Sequence, residues 1–231
     1  MPTASDASPR VLAEWGQRVA AEYTSAAYAS QALHRCIQIG LPDELLRIAL
    51  RIVGDELDHA QLSHDCLTAL GGADTPIPLD VQQLEFPTPA EGPMAALLDN
   101  IVRNFCLGET FAVPLFDAMR RTATHPAIQP VLTRIVRDEA VHRAFGWQVL
   151  DALLELDADG VRARVLATVP GYLSAFRRGY AFAPEHDDLS ATELTMGLIP
   201  LATYATVHDR AVEQDILPRF AQRGMHLVVS V

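Results

Sequence analysis

Between Ala73 and Pro93 the chain carries Pro76, Pro78, Pro87, Pro89 and Pro93 and shows no helical period. A connection of about twenty residues is too long for a hairpin and is uncommon inside a compact domain unless it has a distance to cover. On either side of it lie two long stretches whose apolar residues recur every three and four positions, the mark of amphipathic helices. Val11 to Ile39 is the first, stopped by Gly40-Leu41-Pro42; the second opens with Asp43 as its expected cap and reaches about Leu70, before Gly71-Gly72. Met94 to Arg121 and Ala127 to Leu156 are the third and fourth, joined by Thr122 to Pro126, and Pro93 suits the first turn of its helix. The short connections make each pair antiparallel, and the proline-rich segment has the length to run back along the whole bundle. Hairpin, long crossover, hairpin is therefore the expected order of an all-α fold.

Two further helical stretches follow. Val161 to about Phe182 is expected to break near Pro170-Gly171. Ser190 to about Arg223 opens with the capping-box pattern Ser190-Ala191-Thr192-Glu193 and is divided by Pro200 and Pro218 into two or three kinked pieces. Residues 1–9 read as a flexible tail, 10–157 as a four-helix bundle and 158–231 as a helical extension packed on it, all within a single domain.

Charge and composition exclude several classes of partner. The net charge is -11 and the eighteen basic residues, all arginine, are spread along the chain, so no nucleic-acid footprint stands out. No apolar run approaches the roughly 18 residues of a membrane span. Met1 to Arg10 holds Asp6 and two prolines and lacks the apolar core of a signal peptide. Cys36, Cys66 and Cys106 are odd in number and far apart, which argues against a disulfide framework. The expectation is a cytoplasmic protein with neither nucleic-acid nor membrane partner, and a homodimer is left open.

Two stretches share one form. Gly54-Asp55-Glu56-Leu57-Asp58-His59 and Arg137-Asp138-Glu139-Ala140-Val141-His142 each read Asp-Glu-x-x-His, and no other Glu-x-x-His occurs. A Glu and a His three apart lie on one helix face, so both reach one inward point, and both ligate metals. A single copy is as readily a solvated surface; two copies on separate long helices, with single glutamates available on two more, make a stronger pattern. Counted at 1.5 Å rise per residue, Glu139 lies about 13 residues after its turn and Glu109 about 13 before it. Across the first hairpin Glu56 and His59 lie about 13 to 16 after the turn and Glu22 about 17 before it, whereas Glu14 falls about 12 Å too far. The candidate metal ligands are therefore Glu22, Glu56, His59, Glu109, Glu139 and His142. Four buried carboxylates would cost several kcal/mol each if uncompensated, and two divalent cations would neutralise them. A buried hydrogen-bonded network or a solvent-facing set is the alternative.

In this arrangement, residues 11 to 157 resemble the ferritin-like superfamily of non-haem di-iron carboxylate proteins, with Glu22, Glu56-x-x-His59, Glu109 and Glu139-x-x-His142 in its pattern. The resemblance implies a ferritin-like four-helix bundle with the crossover between its second and third helices, and two Fe ions, with Mn or a mixed Mn/Fe pair as variants. It also implies that an Asp before the Glu orients a ligand histidine. Asp55 and Asp138 hold those positions, each about 40° from its own His on a helical wheel; a solvated acidic edge is the other reading.

Around the ligands, Phe105, Cys106, Ala112 and Val113 are expected to line an apolar pocket, and Pro114 to kink or bulge the third helix beside the metals. Cys106 is read first as a small buried residue. Tyr23 should turn away from Glu22. His64, His125, His186, His208 and His226 match no ligand spacing, and His208 is expected to cap or to face solvent. The leading expectation is an O2-dependent oxidase or oxygenase, an oxidoreductase acting on a small organic substrate in that pocket. A ferroxidase or rubrerythrin-like peroxidase handling iron or peroxide is the alternative, and an interaction module with a structural metal is a third. About 75 residues beyond Leu156 suit a lid over a cavity and favour the enzyme. No Cys-x-x-Cys iron site is present, so electrons would come from a separate donor.

Overall fold

The computed structural model describes residues 7–180 and 188–228, which are helical with no strand among them. Residues 1–6 of the expected tail, the expected helix end at Phe182, and His186 lie outside the described residues.

Helix α1 (Pro9–Ile39) starts where Ser8 caps it, its hydroxyl accepting from the Val11 amide at 3.4 Å, with Pro9 in the first turn. The expected tail thus ends at this cap. Gly40 closes α1 at φ +79°, and the amides of Gly40 and Leu41 turn back to the carbonyl of Cys36; a side chain would be strained in that left-handed turn. Helix α2 (Asp43–Ala69) follows at once and lies along α1 as an antiparallel hairpin. Asp43 is its first residue and not its cap. Its carboxylate accepts from Arg47 one turn on, at 2.7 Å, because Pro42 already occupies the capping position.

From Leu70 to Gly92 the only regular piece is a 3-10 turn at Val81–Leu84. This crossover is strapped to α1. Gln31 donates to the Leu84 carbonyl at 2.7 Å and accepts from the Phe86 amide at 2.9 Å. Arg35 donates to the Thr88 hydroxyl, Tyr28 to the Gln83 carbonyl, and the buried Phe86 ring stands edge-on to Tyr28 at 5.4 Å.

The next long helix is three pieces end to end: α3 (Pro93–Asn100), a π-helical stretch Ile101–Gly108, and α4 (Glu109–Thr122). The widened turns come just before Glu109, whose amide donates to the Asn104 carbonyl five residues back. The expected bulge is therefore beside Glu109, yet not at Pro114, which sits inside the α-helical part. Helix α5 (Gln129–Leu156) packs on both α4 and the π stretch. Gly146 sets that approach: a Cβ there would meet Phe105 Cβ at 2.6 Å and the Cys106 amide nitrogen at 2.9 Å.

Helix α6 (Ala158–Tyr180) passes Pro170 without a break. Val161, Val165, Val169 and Leu173 form a buried stripe on both sides of the proline. Burying four such side chains, at about 1.5–3 kcal/mol each, outweighs a proline cost of about 3 kcal/mol. The remaining stretch is three pieces, α7 (Ala191–Thr195), α8 (Leu201–Ala211) and α9 (Leu217–Gln222), with a π turn at Val212–Ile216 between the last two. Both hydrogen bonds of the Ser190–Glu193 capping box form. Helix α8 lies on α4, α6 on the π stretch and α5, and the indole of Trp15 in α1 donates to the Met196 carbonyl at 3.0 Å. One buried apolar cluster accordingly runs from Val11 to Met225. The three cysteines are buried free thiols, and among the described residues no helix is long and apolar enough to cross a membrane.

Candidate metal centre

Four helices carry the candidate ligands inward, each on its own apolar stripe. On α2 the buried positions run Ala49, Ile52, Glu56, His59, Ser63, and on α5 Leu132, Ile135, Glu139, His142, Gly146. Glu22 follows Trp15 and Val19 on α1, and Glu109 opens α4 at the end of the π stretch. All six side chains are buried. Glu22 and Glu109 keep the most exposure, 6% and 8%, and both histidines keep none.

Ligand atoms of Glu22, Glu56, His59 and Glu139 lie within 4.8 Å of one another, and so do those of Glu56, Glu109, Glu139 and His142; either group could hold a metal ion. Glu56 and Glu139 belong to both. His142 Nδ1 stands 2.9 Å from Glu139 Oε2 and 3.2 Å from Glu56 Oε1. His59 Nδ1 is 3.5 Å from Glu56 Oε2 and from Glu139 Oε1, and among the described residues neither it nor that Glu56 oxygen has a hydrogen-bond partner. Glu14 is in neither group and pairs with Arg18 at 3.6 Å, one turn away on α1.

Left to themselves the six side chains must share protons. Burial, then the charges of Glu56 and Glu139, push the Glu22 carboxyl well above its usual range, and burial with the Glu139 and Glu56 charges does the same to Glu109. Burial alone would lower both imidazoles, but the facing carboxylates of Glu139 and Glu56 outweigh it, lifting His59 to about 11 and His142 to about 10. Burial also opposes ionisation of Glu139, and the two histidines nonetheless hold it well below the carboxylate range. Positive charge is what this cluster gathers. Cations would take the place of those protons, and orphaned lone pairs already face inward to receive them.

Behind the histidines the aspartates cross over. Asp138 Oδ2 of α5 is 3.4 Å from Nε2 of His59 on α2, and Asp55 Oδ2 of α2 is 3.4 Å from Nε2 of His142 on α5. The helical-wheel expectation paired each Asp with its own His; instead each reaches the histidine of the other helix. The reason is that α2 and α5 run antiparallel here, so residue 55 lies level with 142 and residue 59 with 138. Arginines fix both carboxylates. Arg51 binds Asp55 at 3.2 Å, Arg137 binds Asp138 at 3.0 Å, and Arg134 bonds Asp138 while reaching Asp58 at 3.2 Å and Asp55 at 3.6 Å. Burial would raise Asp138, and the Arg134 and Arg137 hydrogen bonds more than offset it, holding it below the carboxylate range.

Sequence reasoning missed these arginines, although a signal was there. Both motifs extend to Arg-x-x-x-Asp-Glu-x-x-His, Arg51 to His59 and Arg134 to His142, with the arginine one turn before the aspartate.

The expected pocket residues do not share one place. Phe105 is in the core, edge-on to Phe145 at 5.3 Å. Cys106 is fully buried, and the charges acting on its thiol are those of Arg223, Asp151 and Arg219. Ala112 is half-buried, while Val113 lines an open cleft between α4 and α8. The π stretch explains the spread, because its wider turn changes the angular relation of Phe105 and Cys106 to Glu109. Tyr23 is partly exposed and lines a surface groove with Gln61 and His64. His208 is neither cap nor surface residue; it is buried and stacked flat on Phe111 at 4.7 Å.

No family model matches this chain, and no curated protein matches it.

Proposed function

We propose that the chain is a ferritin-like di-iron oxidoreductase that uses O2 to oxidise a small organic substrate. One observation carries the reading: two four-ligand groups of carboxylate and imidazole share Glu56 and Glu139 in a buried cluster with inward-facing atoms that have no partner. Glu22, Glu56, His59 and Glu139 would hold one ion and Glu56, Glu109, Glu139 and His142 the other, with Mn as an alternative to Fe. The ions would supply the redox chemistry with O2 that no side chain here can supply.

What the protein's own residues do follows from their positions. With ions bound, Asp138 and Asp55, each 3.4 Å from an Nε2, would accept from the Nε2–H of His59 and His142 and leave each Nδ1 lone pair for an ion. Four carboxylates and two neutral imidazoles balance two divalent charges, which fits the donor set. The apolar stripes above and below the cluster keep bulk water away from it. Helices α6 and α8, packed on the π stretch and α4, favour an enzyme over an iron store, since a store needs only a path to the carboxylates. Electrons beyond those of the ions would come from a separate donor.

The test is anaerobic loading with ferrous iron, a count of bound iron, and then O2 uptake with and without added organic compounds. About two irons per chain and O2 uptake coupled to an oxidised organic product are expected. No bound iron would end the reading. Many turnovers of ferrous oxidation with mineral formation would replace it with the ferroxidase alternative, and turnover of peroxide with the rubrerythrin-like one.

A further inference from the structure

A cleft of about 520 Å3 opens between α4, α8 and the π turn after α8. Its apolar wall is made by Val113 and Pro114 on one side and Val207 and Ala211 on the other. Its floor includes Thr110, 1% exposed, whose hydroxyl has no hydrogen-bond partner among the described residues. Thr110 is the residue after Glu109, the more exposed of the two least buried ligands of the cluster. The cleft is therefore lined, at Thr110, by the chain neighbour of a candidate metal ligand.

The rim is cationic in a chain of net charge -11. Arg121, Arg143 and Arg210 line it, against Asp117 and Asp215. Each aspartate is already shared between two guanidinium groups, Asp117 with Arg120 and Arg121 and Asp215 with Arg143 and Arg219. Arg210 is exposed and pairs with no carboxylate among the described residues. Among the described residues, five arginines thus share two carboxylates around the cleft, and Arg210 projects from its wall outside those pairs. Lined by apolar walls and arginines, this is a place for an anion with an apolar body. A guanidinium binds a carboxylate bidentately.

We infer that this cleft binds the substrate, and that the substrate is a small monocarboxylic acid with an apolar body: its carboxylate is held by Arg210 and Arg121 at the rim, its apolar part lies between Val113 and Val207, and its far end points past Thr110 toward Glu109. The inference rests on the oxidase reading above. A cleft of this size suits an aliphatic or phenyl-alkanoic acid rather than a macromolecule.

The experiment is calorimetric titration of the iron-loaded protein with 4-phenylbutyrate and with 4-phenylbutyramide, which share a body and differ in charge. The acid should bind at least about tenfold more tightly, the scale of one charge-assisted hydrogen bond pair, and its affinity should fall as salt rises. Arg210→Gln should remove the preference for the acid, and Val113→Trp should weaken acid and amide together by filling the apolar wall. Iron content should stay unchanged in both, as neither residue belongs to the cluster. Equal binding of acid and amide, no binding of either, or an Arg210→Gln variant that keeps the preference would each overturn the inference, and would leave the oxidase reading standing if iron and O2 uptake persist. Arginine-dependent binding in a chain that takes up no iron would overturn the substrate role and the oxidase reading together.

Discussion

Asp138 on α5 lies 3.4 Å from Nε2 of His59 on α2, and the pair is reproduced in reverse by Asp55 and His142. The two histidines are thus oriented from the opposite helix, so the alignment of α2 with α5 and the aim of both imidazoles are one and the same constraint. Arg134 touches both aspartates and ties the two pairs together.

Replacing Asp138 with Asn keeps the shape and removes the charge that fixes the tautomer of His59. Metal affinity should fall by about 10- to 100-fold with the helical content intact. Arg134→Gln should loosen both histidines and so cost more metal affinity than Arg137→Gln, which touches Asp138 alone. Competition with a chelator, read beside circular dichroism, checks both. If Asp55→Asn and Asp138→Asn bind metal like the parent protein, the aspartates are only a charged edge.

Glu139 belongs to both four-ligand groups, while His59 belongs to one. Glu139→Ala should therefore abolish binding of both ions, and His59→Ala should spare one. Iron counted after anaerobic loading distinguishes about zero from about one per chain.

Gly146 lets α5 approach the π stretch that ends at Glu109. Gly146→Ala would push a methyl against backbone at 2.8 and 2.9 Å, contacts that no rotamer change can relieve. A loss of about 1–3 kcal/mol is expected in urea unfolding, together with weaker metal binding because the strain falls on the segment that aims Glu109.

Glu193 reciprocates the Ser190 cap and accepts from Ser8 at 2.6 Å. The Ser8 hydroxyl and the Ser190 amide hold its carboxyl below the usual carboxylate range. A depressed carboxyl stabilises the fold above its unfolded value, and that contribution disappears as pH falls through the folded one. Glu193→Gln should thus cost about 1 kcal/mol at pH 7, and the gap to the parent should narrow as pH drops below about 4. Urea titrations at pH 7 and pH 3.5 would show it.

The four long helices and their connections were legible because breakers and apolar period agree at nearly every boundary. Ile39 and Leu156 are helix ends in sequence and structure alike. The six clustered residues were legible because helix rise converts residue counts into heights, which also separated Glu22 from Glu14. Where the reading failed, the cause was contact between elements. Pro170 leaves α6 whole because a valine stripe holds the helix on both sides. The pocket residues scatter because a π stretch has no signature in apolar spacing. His208 reads as a cap or a surface residue because nothing in its own segment reveals that Phe111 will cover it.

The shared glutamates have a consequence for how the two halves of the chain depend on each other. The first hairpin supplies Glu22, Glu56 and His59 and borrows Glu139; the second supplies Glu109, Glu139 and His142 and borrows Glu56. Neither half holds a complete set. Each hairpin is a local structure that can form early, whereas the crossover between them must be closed before the sets are whole. An ion in either position would then act as a rivet across the seam. Its uptake would report the docking of the halves and not the folding of either one, and a chain split within the crossover should regain metal binding only when both halves are present.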